Sequence, residues 1–288
     1  MTAFLELVVA GLMSGLVIGL AALAVTLVFG IARFANAATG DTMTLGAYAT
    51  LGGTAATGSL IAGGAIGILA GAAAGVIAYA TVFRKLERRS PVAALLASIG
   101  VGFVIRAGLG LVYGHGQQVF QLPLVRPWRV WGIRIQPTDL EIAAAALATL
   151  AAVFLILHAT PIGRQMRAVA DDPDLARVSG IAPRRVMIAL WALAGGVAAV
   201  AGCLLGIKTV VAPEMGWDML LPAFAAAILG GIGHPVGAVV AGVLLGIAQE
   251  TATPWVGFTY KIALSFAVLL LVLLVRPRGL FGRIEGVR

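Results

Sequence analysis

The sequence predicts an all-α protein, a polytopic membrane helix bundle of about eight to nine transmembrane helices. Two observations carry that expectation. The chain is 60% hydrophobic and only 11% charged, with a mean hydropathy of +1.03, whereas a soluble domain carries roughly a quarter of its residues as charges. It also reads as a row of apolar segments, each near the ~20 residues that cross about 30 Å of hydrocarbon.

The segments fall in order at Leu5–Phe29, Gly40–Thr57, Leu60–Phe83, Val92–Tyr113, Leu140–His158, Met187–Val211, Met219–Ile232, Val236–Glu250 and Gly257–Val275. The first is too long for the apolar region of a signal peptide and follows no basic residue, so no cleavable leader is expected. Gly40–Thr57 and Met219–Ile232 are weak or short, which leaves eight spans plus a re-entrant piece open. Glycines recur every four residues at Gly11, Gly15 and Gly19, at Gly63, Gly67, Gly71 and Gly75, and again at Gly202 and Gly206 and at Gly242 and Gly246. That spacing lines one helix face with small residues and lets neighbouring backbones approach closely.

Charge orients the bundle. Arg33, the run Arg84-Lys85-Leu86-Glu87-Arg88-Arg89, the group Arg164, Arg167, Arg177, Arg184 and Arg185, and the closing Arg276, Arg278, Arg283 and Arg288 hold most of the 20 Lys and Arg. With nine spans all four groups share one side, which the positive-inside rule assigns to the cytoplasm. The N-terminus is then periplasmic, the C-terminus cytoplasmic, and Arg126, Arg129 and Arg134 lie in the longest outer loop. The net charge of +8 reflects topology and contact with anionic membrane lipid rather than a nucleic-acid footprint. Residues 1–288 read as a single transmembrane domain with one substantial cytoplasmic loop at about 159–187.

One stretch breaks the apolar pattern. Asn36, Thr39, Asp41, Thr42 and Thr44, followed by Tyr48, place an amide, a carboxylate and hydroxyls directly after a full-length apolar helix. Polar groups at membrane depth are costly unless they face protein, water or a passing solute, and a polar, glycine-interrupted segment is the best sequence pointer to a transport path. These six residues are the candidate lining of such a path. A short turn and a polar helix start is the plainer alternative.

The cytoplasmic loop carries a second signal. Asp172 suits an N-cap, Pro173 the first helical position, Asp174 the positive end of the helix dipole and Gly180 a left-handed stop before Ile181. A helix of about seven residues follows, showing Leu175, Ala176 and Val178 with no core of its own. Docking in a partner's groove and packing on the membrane surface are both compatible with it.

Other chemistry is excluded or weak. No GxxxxGK[ST] run cradles phosphates, and Gly202-Cys203-Leu204-Leu205-Gly206-Ile207-Lys208-Thr209 lacks the adjacent Gly-Lys. Cys203 is alone, and His115, His158 and His234 match no metal-ligand spacing. No catalytic residues and no metal site are assigned. Of the charges in or at the ends of spans (Arg106, Lys208, Glu214, Asp218, Glu250 and Lys261), Arg106 is the deepest, and a buried carbonyl or carboxylate is its expected partner.

Four motifs in order now point to a family: Thr26-Leu27-Val28-Phe29-Gly30 leading to Asn36, Gly40, Met43 and Gly46-Ala47-Tyr48; Gly163-Arg164-Gln165-Met166-Arg167-Ala168 with Asp172-Pro173, Ala176 and Gly180-Ile181; Phe224 through Ile228-Leu229-Gly230-Gly231-Ile232-Gly233-His234-Pro235-Val236-Gly237-Ala238; and Arg276-Pro277-Arg278-Gly279-Leu280-Phe281-Gly282. Together they span nearly the whole chain, which resembles the LivH-type permeases of bacterial branched-chain amino-acid ABC transporters. The resemblance implies an ABC importer permease fold in the inner membrane, with no cofactor of its own and ATP bound by two partner ATPase subunits. Asp172, Pro173, Asp174, Ala176, Gly180 and Ile181 would seat in an ATPase, a second related permease would complete the pore, and a periplasmic binding protein would deliver the solute. The basic outer loop is a candidate for contact with that protein. Thr39 departs from the family, which often carries His there, and relatives also carry urea, amides and other small solutes. An ion-coupled secondary transporter using Asp41 or Arg106 is the competing class.

Overall fold

The computed structural model describes residues 2–87, 89–123, 126–130, 133–257, 260–275 and 279–281. Arg88, Arg276, Arg278, Arg283 and Arg288, with Pro277 and Gly282 of the closing motif, lie outside the described residues. The helices are α1 (Thr2–Ala32), α2 (Ala38–Thr57), α3 (Leu60–Ala78), α4 (Arg84–Leu86), α5 (Pro91–Tyr113), α6 (Pro137–Ala159), α7 (Pro161–Asp171), α8 (Pro173–Val178), α9 (Pro183–Lys208), α10 (Met215–Gly230), α11 (Pro235–Val256) and α12 (Lys261–Val275). A five-residue π-helical turn, Tyr79–Phe83, joins α3 to α4. Two three-residue strands, β1 (Trp128–Val130) and β2 (Ile133–Ile135), form an antiparallel hairpin in the loop before α6, with Arg129 opposite Arg134.

Each expected span has a helix. Six are long and apolar enough to cross a membrane: Phe4–Ala32, Leu60–Leu86, Pro91–Tyr113, Pro137–Ala159, Pro183–Lys208 and Pro235–Val256. The protein is therefore a multi-pass membrane protein. Helices α10 and α12 are apolar but shorter, at 16 and 15 residues, about 24 and 22 Å at 1.5 Å per residue. The 20 residues of α2 are too polar to qualify, and the reason is its position. It packs against α3, α5, α9 and α10, and every residue from Ala38 to Thr44 is buried. A helix wrapped in protein needs no apolar surface.

Glycine seams hold the bundle together. Gly11, Gly15 and Gly19 of α1 face Gly242 and Gly246 of α11 backbone to backbone, and a Cβ on Gly15 would stand 2.7 Å from the Cα of Val243. The α3 stripe turns Gly63 and Gly67 to α2 and Gly71 and Gly75 to α9. These repeats are packing surfaces. A small closure ties the chain's end to its middle: the N–H groups of Leu280 and Phe281 donate to the carbonyls of Leu229 and Gly230 at 2.7 and 3.2 Å, satisfying the C-terminus of α10. Gly279 adopts φ 75° there. His234 caps α11, its Nδ1 accepting from Gly237 N–H at 3.0 Å, and its ring stacks on Phe281.

Candidate functional site

The polar segment begins where α1 stops. Arg33 takes the left-handed conformation, φ 59°, and its Nη2 donates to the Ala170 carbonyl of α7 at 2.7 Å. Asn36 then nucleates α2: its Oδ1 accepts from Ala38 N–H at 3.2 Å, while Ala37 N–H donates to Ser98 Oγ of α5 at 2.9 Å. The segment is therefore helical from Ala38 on, and the only irregular backbone is the short link ahead of it.

Helical geometry splits the six candidate path residues. Thr39 and Thr42 share one face of α2 and, with Asn36, line a small cavity of about 20 Å³ whose other walls include Gly75, Phe83, Val101, Trp191 and Ala194. No charged residue lines it. Thr42 Oγ1 donates back to the Ala38 carbonyl at 2.9 Å. Thr39 Oγ1 and Trp191 Nε1 are buried with no hydrogen-bond partner among the described residues. Leaving a buried polar group unpaired costs about 1–3 kcal/mol, so two beside one cavity are an unusual expense.

Asp41, Thr44 and Tyr48 stand on the other face and do not reach this cavity. Asp41 supplies the carboxylate that Arg106 was expected to need: its Oδ1 accepts from Nε and Nη2, each at 2.9 Å. The guanidinium also lies 5.5 and 5.1 Å from the ring centroids of Phe103 and Trp217, a favourable setting for a cation. Thr44 Oγ1 accepts from Gly216 N–H at 3.1 Å and joins α2 to α10. Tyr48 packs on Tyr113 at 4.8 Å, near the opposite end of the bundle from α7 and α8.

Below the cavity lies an aromatic cluster that sequence reasoning missed. Phe83 and Trp191 stack at 4.5 Å and 10°, Tyr79 stacks on Trp191 at 6.1 Å, and Phe34 sits 5.3 Å from Phe83. All four are buried. Beyond it opens a second, larger cavity of about 560 Å³, bounded by Arg33, Glu87, Arg89, Pro173, Asp174 and Arg177 among others. Phe83 and Trp191 line both cavities. An aromatic residue within an apolar span carries no local mark of such a position.

The capped segment folds largely as its residues dictate. Asp172 Oδ1 accepts from the N–H groups of Asp174 and Leu175 at 2.9 and 3.0 Å, and Pro173 opens α8. Gly180 has φ 83°, and Ile181 N–H returns to the Ala176 carbonyl at 3.0 Å. One expectation is corrected. Ala176 is 4% exposed, whereas Leu175 and Val178 are 64% and 87% exposed, because α8 packs one side against α7 and α9. Helix α7 itself was not foreseen; Thr160 caps it, and Met166 and Val169 pack inward.

The charges at the far ends of the spans also connect. Lys208 Nζ donates to Ser14 Oγ at 2.6 Å, Ser14 Oγ donates to Glu250 Oε1 at 3.2 Å, and Lys261 Nζ meets the same oxygen at 2.8 Å. Among the described residues no three His, Cys, Asp or Glu gather as a metal site.

Comparison with known proteins decides the family. Residues 7–273 match the model of the branched-chain amino acid transport system permease component. The chain belongs to that family. The permease LivH of Escherichia coli K12 is 31% identical over 98% of this chain and 96% of its own length, and LivH of Salmonella typhimurium is 30% identical over the same shares. BraD of Pseudomonas aeruginosa is 28% identical over 98% and 97%. PsaBC from Streptococcus pneumoniae, solved in complex with Fab, shares the fold with a TM-score of 0.51 over 93% of this chain and 91% of its own, at 13% identity. As a permease component of this family, the protein is a transport subunit and not an enzyme.

Proposed function

We propose that this permease forms the translocation path of an ATP-driven importer for branched-chain or similar small amino acids. The observation that carries the reading is the central cavity, where Asn36, just ahead of α2, and Thr39 and Thr42 of α2 face Trp191 among mostly apolar walls. Unpaired hydroxyl and indole groups suit a solute that brings its own donors and acceptors. Asp41, Thr44 and Tyr48 support the path by fixing α2 to α5 and α10 rather than by lining this cavity.

The face bearing α7 and α8 is cytoplasmic in this reading, and the N-terminus periplasmic. The segment from Asp172 to Ile181 seats in an ATPase subunit through Leu175 and Val178, while Asp172, Pro173, Asp174, Ala176 and Gly180 hold its shape. Two ATPase subunits bind the ATP, a related second permease completes the pore as a heterodimer, and a periplasmic binding protein supplies the solute. The whole chain acts as one permease domain.

The test is uptake of radiolabelled leucine into proteoliposomes holding the complete complex, with urea and short amides as competitors. ATP-dependent leucine uptake, reduced several-fold by Thr39→Val, is the expected result. Uptake that needs no ATPase and collapses with the proton gradient would overturn it in favour of an ion-coupled carrier.

A further inference from the structure

Resting on that path, we propose that Trp191 is its solute-contacting residue at the closure toward α8: its indole N–H offers a solute acceptor a hydrogen bond, and its ring is the plate on which Phe34, Tyr79 and Phe83 shut the path.

Four observations support this. Trp191 is 2% exposed, yet its Nε1 has no partner among the described residues, whereas a buried Trp ordinarily pairs its N–H. The other unpartnered atom beside the same cavity, Thr39 Oγ1, can donate or accept, so the two together suit a carboxylate or carbonyl oxygen. The Phe83–Trp191 stack is the wall common to the central cavity and the larger one beyond. Two of the closing rings, Tyr79 and Phe83, begin and end the π-helical turn, a distortion that occurs frequently at functional sites.

The closure is also tied to the capped segment. Phe34 directly follows Arg33, whose guanidinium holds the Ala170 carbonyl at 2.7 Å. Two residues beyond that carbonyl, Asp172 caps α8. A displacement of α8 therefore has a short route to one of the four rings.

The experiment uses the complete transporter in vesicles with the α8 face outward. Cys203, the chain's one cysteine, is replaced by Ser, and Thr39→Cys serves as reporter for a membrane-impermeant, positively charged methanethiosulfonate. Without nucleotide, labelling is slow with the native rings and at least tenfold faster with Phe83→Leu or Trp191→Leu; two variants are used because either one alone can fail to assemble. Trp191→Phe keeps a ring in place, so labelling stays slow, while in the native Thr39 background the KM for leucine uptake rises about tenfold with kcat little changed. Equal labelling rates in native and Leu variants overturn the closure, and an unchanged KM in Trp191→Phe overturns the solute contact. If Thr39→Cys is unlabelled in every variant and nucleotide state, the cavity is no path and the inference falls with it.

Discussion

The carboxylate of Asp41 on α2 accepts two bonds from the guanidinium of Arg106 on α5, both at 2.9 Å, and does so with its side chain only 2% exposed. Gly102, one turn before Arg106, makes room for it; a Cβ there would collide with Asp41 Oδ2. Removing one partner of a buried pair leaves an uncompensated charge and costs about 3–5 kcal/mol. Arg106→Leu is accordingly expected to lower the melting temperature of the purified complex sharply. Combining it with Asp41→Asn should recover much of the loss. A single variant as stable as the native protein would show that the pair contributes nothing.

The α1–α11 seam predicts a steric effect of its own. Gly15→Val has nowhere to place its side chain but the backbone of Val243, and overpacking of this kind costs about 1–3 kcal/mol. Thermal unfolding in detergent checks it. The same substitution at Gly64, where an added Cβ would meet nothing within 4 Å, is the control and should change little.

On α8 the exposed and buried side chains should separate cleanly. Leu175→Asp or Val178→Asp is expected to abolish ATP-driven uptake and ATPase co-purification while leaving the permease's melting temperature unchanged. Ala176→Leu, at a buried position, should lower the melting temperature as well. If the Asp variants retain their ATPase, the segment is not its seat.

Arg33→Gly sets two effects against each other. A left-handed non-glycine residue costs about 1–2 kcal/mol, which glycine relieves; the lost bond to Ala170 is worth about 1 kcal/mol. Stability should therefore stay within about 1 kcal/mol of native, read from thermal melts, while uptake falls several-fold because the tie to α7 is gone.

The cluster around Ser14 gives a further test. Glu250 Oε1 is bonded by both Ser14 and Lys261, and Lys208 donates to Ser14. Glu250→Gln removes the negative charge between two cations and should destabilise the protein by about 1–2 kcal/mol, a part-exposed discount on a buried pair. Restoration by Glu250→Asp would point to charge rather than shape.

How much of this was readable beforehand follows the range of the forces involved. Asp172, Pro173 and Gly180 act on their own neighbours, so the α8 cap was legible residue by residue. The apolar runs were legible because lipid demands them, and α2 was ambiguous because protein surrounds it instead. That Arg106 needed a partner was evident from its depth; that the partner was Asp41, 65 positions away, required the fold. Asn36, Thr39 and Thr42 stood out as polar, but no local rule separates them from Asp41, Thr44 and Tyr48 until a helix axis is drawn. Trp191 gave no sign, since its position depends on α3, the π-helical turn and the α1–α2 link meeting there.

The central cavity's wall has amide, hydroxyl and indole groups and no formal charge, since Asp41 and Arg106 neutralise each other on the far side of α2. Such a wall can touch a passenger but not clasp it. An amino acid travelling this way would meet a neutral hydrogen bond or two and no ion pair to hold it, and a conduit that holds its passenger only lightly is hard to clog. On the proposed reading, most of the choosiness is then exercised at the door, before the passenger is let in, and the corridor is free to be quick.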